Sequence, residues 1–122
     1  TGGEALFAGL VGNANGLVAL RLLTTIVLTF ENTGFGDQAG AALGAALRSC
    51  GKLEKAKFSL YNTKLTDTGG EALFAGLVGK ELQDLDVRLF DTSVANMTGL
   101  ALGKFLGSCG KMTKLFLILA DT

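Results

Sequence analysis

Two stretches of this chain are identical over twelve residues: TGGEALFAGLVG spans Thr1–Gly12 and recurs at Thr68–Gly79. A shorter duplication, SCGK, begins at Ser49 and again at Ser108. Internal repetition indicates an architecture in which similar units stack around a shared core, since one unit cannot bury its own apolar surface. The two duplications have different separations, so the repeating unit must be shorter than either separation.

One complete unit is visible in Phe58–Leu77, FSLYNTKLTDTGGEALFAGL. Apolar and polar residues alternate at its start, which predicts a short strand with one buried face. Apolar residues near its end share one stripe at the helical period, which predicts an amphipathic helix. The strand position of Phe58 matches Leu28, 30 residues earlier, Val87, 29 residues later, and Leu117, a further 30 residues on. The sequence therefore predicts four equivalent strands.

Four strands at this spacing, joined by helices, favour a parallel sheet with right-handed crossovers. We therefore predict an α/β fold in a single domain of about four units, approximately residues 1–33, 34–63, 64–92 and 93–122. Because the chain begins at Thr1 without Met, we expect a fragment of a longer array. The first unit has eight extra residues within Asn13–Leu23. We predict a turn at Asn13–Gly16, and leave loop, helical turn and added strand open for Leu17–Leu22.

The turn between strand and helix carries a specific pattern. FSLYNTKLTDTG has the form LxLxxTxLTDxG, and VRLFDTSVANMTG follows it with Val94 for leucine and Asn96 for aspartate. In these motifs the chain resembles the leucine-rich repeat, in its ribonuclease-inhibitor-like form. The resemblance implies a leucine-rich-repeat solenoid, a curved right-handed α/β superhelix with the parallel sheet on the concave side and helices on the convex side. It also implies a non-enzymatic protein–protein interaction scaffold that binds through its concave strand face.

Two further columns of residues recur at the starts of the predicted helices. The first column holds preferred N-cap residue types: Asp37, Asp67 and Asn96. The second column holds glycines: Gly40, Gly70 and Gly99. We predict that each acidic or amide side chain caps its own helix. We also predict that the glycines exclude a side chain where the helix approaches the strand layer.

The composition argues against several functions. The chain has no histidine, which removes the commonest general base and metal ligand. Its 11 basic and 11 acidic residues balance, so no basic surface argues for nucleic acid. The most apolar run, Leu17–Phe30, contains Arg21 and is too short to span a bilayer. We therefore expect no enzymatic activity, no cofactor, no metal, no nucleic acid and no membrane.

A glycine motif and two cysteines are the remaining candidates for chemistry. Gly34–Ala39 fits the GxGxxA pattern of dinucleotide sites, but the aligned turns of later units lack these glycines, which favours a structural turn. Cys50 and Cys109 occupy the same place two units apart, roughly 16–20 Å, which is too far for a disulfide. We predict that both cysteines serve as small buried apolar residues. The alternative of a reactive thiol stays open, because basic residues lie nearby in the sequence. Unpaired cysteines and no visible signal sequence favour a cytoplasmic location.

The strand residues that point away from the core form the candidate binding face. Parallel pairing would place the acidic Asp84 between the basic Lys55 and Lys114, so that opposite charges are neighbours. It would likewise place Asp86 beside Lys57 and Phe90 beside Tyr61. We predict that the carboxylates set the strand register rather than forming an acid–base pair. The residues predicted to contact a protein partner, whose identity the sequence does not specify, are Tyr61, Arg88, Phe90, Phe116, Ile118, Lys57 and Asp86.

The end of the chain predicts self-association. The strand within Leu115–Thr122 has no helix after it, and Phe90, Phe116 and Ile118 form an apolar patch on the same face. An uncovered apolar edge strand is a template for another chain. We therefore expect a homo-oligomer, either head to tail, with a second copy continuing the repeat, or by twofold edge pairing. The alternative function is thus a structural, self-assembling fragment that binds chiefly to itself.

Overall fold

A computed structural model describes the backbone of residues 2–119 and the side chains of residues 5–119. Within this range, helices and strands alternate after an initial helix pair. The elements in chain order are α1 (Gly2–Val11), α2 (Ala14–Leu22), β1 (Thr25–Thr29), α3 (Asp37–Arg48), β2 (Lys55–Ser59), α4 (Asp67–Ala75), β3 (Asp84–Arg88), α5 (Asn96–Ser108) and β4 (Lys114–Ile118).

The four strands form one parallel sheet in the order β1-β2-β3-β4. Leu28 pairs with Phe58, Phe58 with Val87, and Val87 with Leu117. The equivalence that the 29–30-residue spacing predicts is therefore confirmed, and so is the predicted α/β class with a parallel sheet.

One face of the sheet carries the core. Phe58 and Val87 are fully buried there, and the ring of Phe58 meets Phe74 of α4 edge-on at 6.4 Å. The helices lie side by side in strand order, α1 against α3, α3 against α4 and α4 against α5. We call the opposite side of the sheet the open face. It carries Thr25, Val27, Thr29, Lys55, Lys57, Ser59, Asp84, Asp86, Arg88, Lys114, Phe116 and Ile118, followed at the strand ends by Glu31, Tyr61 and Phe90.

The extra residues of the first unit form the helix α2. The side chain of Asn13 caps it, accepting hydrogen bonds from the amides of Asn15 at 2.9 Å and Gly16 at 3.2 Å. The predicted turn at Asn13–Gly16 is therefore wrong beyond its first residue, because the amide side chain starts a helix there. Leu20 anchors α2 in the core. Leu17–Leu22, left open from the sequence, is helical.

No single helix within the described residues is long and apolar enough to span a membrane. By length and composition alone, Ala5–Val11 and Ala14–Leu22 would suffice as a pair, with a bend of 95° between them.

Two of the three predicted N-cap residues cap the next helix along the sheet with their side chains, and Asn96 is the first residue of α5 and not its N-cap. The carboxylate of Asp67 accepts hydrogen bonds from the amides of Ala95 at 2.9 Å, Met97 at 3.0 Å and Thr98 at 2.8 Å, which begin α5. Burial raises the pKa of Asp67, but the hydrogen bonds from Thr98, Ala95 and Met97 outweigh it and lower the pKa from 3.8 to about 2. The prediction that Asp67 caps its own helix is wrong.

Asp37 has the same role at the start of α4. Its carboxylate accepts hydrogen bonds from the amides of Thr66 at 2.8 Å and Gly69 at 3.1 Å. The residues at the N-cap positions of α4 and α5, Thr66 and Ala95, make no capping hydrogen bond with their own side chains. Each of these two helix starts is therefore completed by the preceding unit.

The glycine column excludes side chains for a different reason from the predicted one. A Cβ on Gly40 would lie 2.9 Å from the carbonyl oxygen of Gly69, and a Cβ on Gly70 would collide with Thr98. Both obstacles belong to the next helix and not to the strand layer, so that aspect of the prediction is wrong. Gly99 in α5 has no atom within 4 Å of its Cβ position.

The closest approach of α3 and α4 is between backbones. A Cβ on Gly44 would collide with the carbonyl oxygen of Ala72, and a Cβ on Gly76 would collide with that of Gly44. Gly76 has ordinary right-handed helical dihedral angles, so space and not conformation requires glycine here.

The strand ends repeat one turn geometry. Asn32, Asn62 and Asp91 have φ values of 58°, 53° and 58°, a left-handed conformation that asparagine and aspartate tolerate. The side-chain amide of Asn62 donates to the side-chain oxygen of Asn32 at 2.7 Å. The hydroxyl of Thr63 donates to the carbonyl of Leu60 at 2.8 Å and closes the turn. Neighbouring units thus also bond through their turns.

The two identical twelve-residue segments allow a matched test of helix packing. We expect Gly76→Ala to lower the free energy of unfolding by about 1–3 kcal/mol, because its methyl group would force α3 and α4 apart. Gly9→Ala, in the same sequence context, should raise it by up to about 1 kcal/mol, because alanine favours helix and nothing lies near its Cβ. Urea denaturation measures both changes; equal losses would contradict the packing described here.

The lowered pKa of Asp67 predicts a pH dependence. Because the folded-state pKa is depressed, the stabilisation by the carboxylate is present above about 3.8 and is lost as the pH falls through about 2. Asp67→Asn keeps an acceptor oxygen but does not titrate. The difference in unfolding free energy between the native chain and Asp67→Asn should therefore stay constant above pH 3.8 and shrink towards pH 2. A difference that does not change over this range would refute the cap.

Candidate functional site

The open face brings the predicted partner-binding residues onto adjacent strands. Lys57 and Asp86 are register partners, and Asp86 in turn pairs with Phe116 on β4. Past the strand ends, the rings of Tyr61 and Phe90 stack with their centroids 4.4 Å apart and their planes 10° from parallel. The predicted neighbours Lys57–Asp86 and Tyr61–Phe90 are therefore confirmed as neighbours.

Arg88 lies at the centre of the face and links its polar and aromatic regions. Its guanidinium donates to both carboxylate oxygens of Asp86, at 3.2 Å and 3.4 Å, and lies 5.0 Å from the ring centroid of Phe116. The hydrogen bond with Asp86 raises the pKa of Arg88, although burial opposes it. Arg88 is held in place by two neighbours and yet keeps 35% of its side chain exposed.

The carboxylates of β3 differ from the prediction in their bonding. Asp84 pairs in register with Lys55 and Lys114 as predicted, but these three described side chains form no ion pair within 4 Å. Asp86 bonds with Arg88 on its own strand and not with Lys57. The predicted charge pairs therefore do not set the register, whereas the packing of buried strand residues such as Phe58 and Val87 does.

Glu31 was not among the residues predicted to bind a partner, although its strand position places it on this surface. Its carboxylate accepts hydrogen bonds from the hydroxyl of Ser59 and, at 2.9 Å, from the hydroxyl of Tyr61. These bonds lower the pKa of Glu31, and the bond to Glu31 raises the pKa of Tyr61. The 30-residue spacing that aligns Glu31 with Tyr61 was a signal that could have found it.

The apolar region of the open face reaches both edges of the sheet. Phe116 on β4 is 47% exposed, and Val27 on β1 is 59% exposed. Ile118 is half-buried and pairs in register with Arg88. The face is thus a rigid sheet that presents aromatic, aliphatic and charged groups together, as protein-binding surfaces do.

The chain offers few reactive groups. Among residues 5–119, no three His, Cys, Asp or Glu side chains come together in a way that could hold a metal ion. Cys50 is buried, its thiol donates to the carbonyl of Ala46 at 3.5 Å, and burial raises its pKa. Cys109 is half-buried and its thiol donates to the carbonyl of Leu82 at 3.2 Å. Both cysteines are free, and the predicted burial is confirmed for Cys50 but not for Cys109.

No known protein family, no curated protein and no solved structure matches this chain.

The hydrogen bond between Glu31 and Tyr61 can be measured directly, because the sequence contains one tyrosine. We expect Glu31→Gln to lower the pKa of Tyr61 towards its ordinary value, since the carboxylate disfavours tyrosinate. Ultraviolet titration of tyrosinate absorbance reads this change. Glu54→Gln, which alters an exposed carboxylate bonded to Gln83, is the control and should leave the titration unchanged. Identical titration curves for all three proteins would exclude the proposed contact.

Proposed function

We propose that this chain is a non-enzymatic protein–protein interaction scaffold of the leucine-rich-repeat type, and that it binds a protein partner through the open face. In this proposal the units form a solenoid, a curved right-handed superhelix with the sheet on the concave side and the helices on the convex side. The proposal includes no cofactor, no nucleic acid and no membrane.

Three repeated features support the leucine-rich-repeat assignment. The strands pair in parallel at every step of the chain, one helix follows each of the first three strands, and both layers run in the same order. The turn after each of these strands uses a left-handed asparagine or aspartate. Each carboxylate cap reaches the following helix. Identical contacts in successive units are what a one-dimensional array of repeats requires.

The observation that carries the binding function is the pre-ordered cluster on the open face. The stack of Tyr61 on Phe90 and the position of Arg88 between Asp86 and Phe116 hold large side chains in fixed orientations. Side chains ordered in advance lose less conformational entropy on binding. Tyrosine and arginine are also the types that contribute most to protein interfaces. This cluster therefore has the properties of a binding centre.

The second candidate function is self-association, and the edge of the sheet favours it. Strand β4 pairs with β3 on one side and ends the sheet on the other. Leu115 and Phe116 point to opposite faces of β4, and each is 47% exposed. An edge strand that is apolar on both faces gains by pairing with another chain.

Photo-crosslinking tests which surface binds a partner. A photoreactive residue in place of Lys55 puts the probe on the open face, and one in place of Leu100, which is 74% exposed on α5, puts it on the helix layer. With the soluble proteins of the source cells, we expect a discrete heterologous adduct from position 55 and none from position 100.

The captured protein then allows an affinity measurement. Arg88→Ala should weaken its binding about fivefold or more, because truncating an interface residue that contributes strongly costs more than about 1 kcal/mol. Leu100→Ala is the control and should bind as the native chain does. Equal labelling from both probe positions, or an Arg88→Ala variant of unchanged affinity, would contradict the proposed surface. Adducts with the mass of two copies of this chain would favour the second candidate.

A further inference from the structure

We infer that a second copy of this chain docks end to end, with α1 of one copy packed on α5 of the other and β1 paired in parallel with β4. This inference rests on the second candidate function above and adds the surfaces that meet. Its template is the contact between α3 and α4 inside the chain.

The internal template is a contact between helix backbones. In α3, Gly44 leaves space for the backbone of α4 at Ala72, and Gly40 leaves space at Gly69. Gly76, the C-cap residue of α4, returns the contact by accommodating the backbone of Gly44. This face of α4 belongs to the segment TGGEALFAGLVG.

The helix α1 lies within the other copy of this segment, but its corresponding face is uncovered. Gly9 is the sequence counterpart of Gly76, and no atom lies within 4 Å of its Cβ position. Leu6 is 51% exposed, whereas its counterpart Leu73 is fully buried. The sequence that docks on α3 inside the chain is thus present a second time without a partner among the described residues.

The receiving glycines are also present twice. Gly99 and Gly103 of α5 stand where Gly40 and Gly44 stand in α3, 59 residues earlier. Both are exposed, with no atom within 4 Å of their Cβ positions. The bulky neighbours on α5 do not cover them, because Leu100 and Lys104 line a groove on the α4 side, with Glu71 and Ala75 among its other residues. The helix α5 therefore offers a second copy a surface like that of α3.

The sheet edges match in the same arrangement. Continuing the register of the sheet places Phe116 of one copy beside Val27 of the next, and Leu115 beside Ile26. Phe116 and Leu115 are each 47% exposed and Val27 is 59% exposed, so the junction would cover apolar surface on both sides of the sheet. Lys114 would lie beside Thr25, so no like charges face each other there.

The helix α2 leaves Gly9 of α1 clear, since no atom lies within 4 Å of its Cβ position. It lines a groove together with Arg48 and Ser49, at the end of α3, and so lies towards the helix that already covers α1. The chain has 11 basic and 11 acidic residues, so two copies do not repel each other through net charge.

An interface of this kind joins two different surfaces, and its products differ from those of a twofold dimer. Each added copy presents a new free end, so association continues to open chains or to a ring. Twofold pairing of β4 with β4 would stop at two copies. The two arrangements are therefore distinguishable by which single variants can still assemble with each other.

The test uses variants that block one end each. Gly103→Leu places a side chain on the receiving face of α5, and Gly9→Leu places one on the docking face of α1. Gly107→Leu is the matched control, since this α5 glycine is also exposed with nothing within 4 Å but aligns with Arg48, which is exposed in α3, whereas Gly40 and Gly44 are buried. Leucine favours helix over glycine at all three positions, so circular dichroism and the thermal midpoint verify that every variant folds.

Sedimentation velocity over a concentration series gives the decisive result. We expect the native chain and Gly107→Leu to grow in mass with concentration, and Gly9→Leu and Gly103→Leu to remain monomeric alone. Mixed in equal amounts, these last two variants should form a dimer and nothing larger. The intact α1 face of Gly103→Leu docks on the intact α5 face of Gly9→Leu, and the other two faces are blocked.

The other outcomes overturn the inference in distinct ways. Two folded single variants that associate as the native chain does, or that form no dimer when mixed, would exclude the end-to-end arrangement while self-association itself stands. A native chain that stays monomeric at every concentration would remove both the arrangement and the second candidate function. The photo-crosslinking test at position 55, which asks whether the open face binds a different protein, is independent of both results.

Discussion

The close contact between helix backbones is the constraint on which the rest of the structure depends. Neighbouring strands lie about 4.8 Å apart, whereas packed helices usually lie about 8–10 Å apart. With one helix for each strand in the same order, the helix layer therefore needs a wider spacing than the strand layer. Gly44 and Gly76 reduce that mismatch by letting backbones touch, and Asp37 and Asp67 fix the helix starts across the same contacts.

The sequence was sufficient to predict the sheet because burial and period point to the same register. Inner apolar residues recur every 29–30 positions. A slip of one residue in the strand register would turn the whole apolar face towards solvent. Phe58 and Val87 therefore had one possible pairing, and the stack of Tyr61 on Phe90 followed from it. Period alone predicts which residues are neighbours.

Contacts that depend on side-chain direction could not be predicted in this way. Whether Asp67 turns to its own helix or to the next depends on the position of that helix, which the spacing does not give. Asp86 has a lysine beside it and an arginine two residues along its own strand, and the arginine bonds with it. Thus the residue types at the candidate site were predictable, whereas its hydrogen bonds and the role of Glu31 required coordinates.

The same stacking accounts for both proposed activities, since it builds a rigid open face and leaves uncovered faces on α1 and α5. Its most direct test is an NMR experiment that detects scalar coupling across backbone hydrogen bonds. The structure predicts correlations from the amide nitrogen of Leu60 to the carbonyl carbon of Arg88, and from Leu89 to Ile118, across bonds of 2.9 Å and 2.8 Å. Correlations from the amides of Leu60 and Leu89 to other carbonyls, or an antiparallel pattern between the strands, would contradict the account.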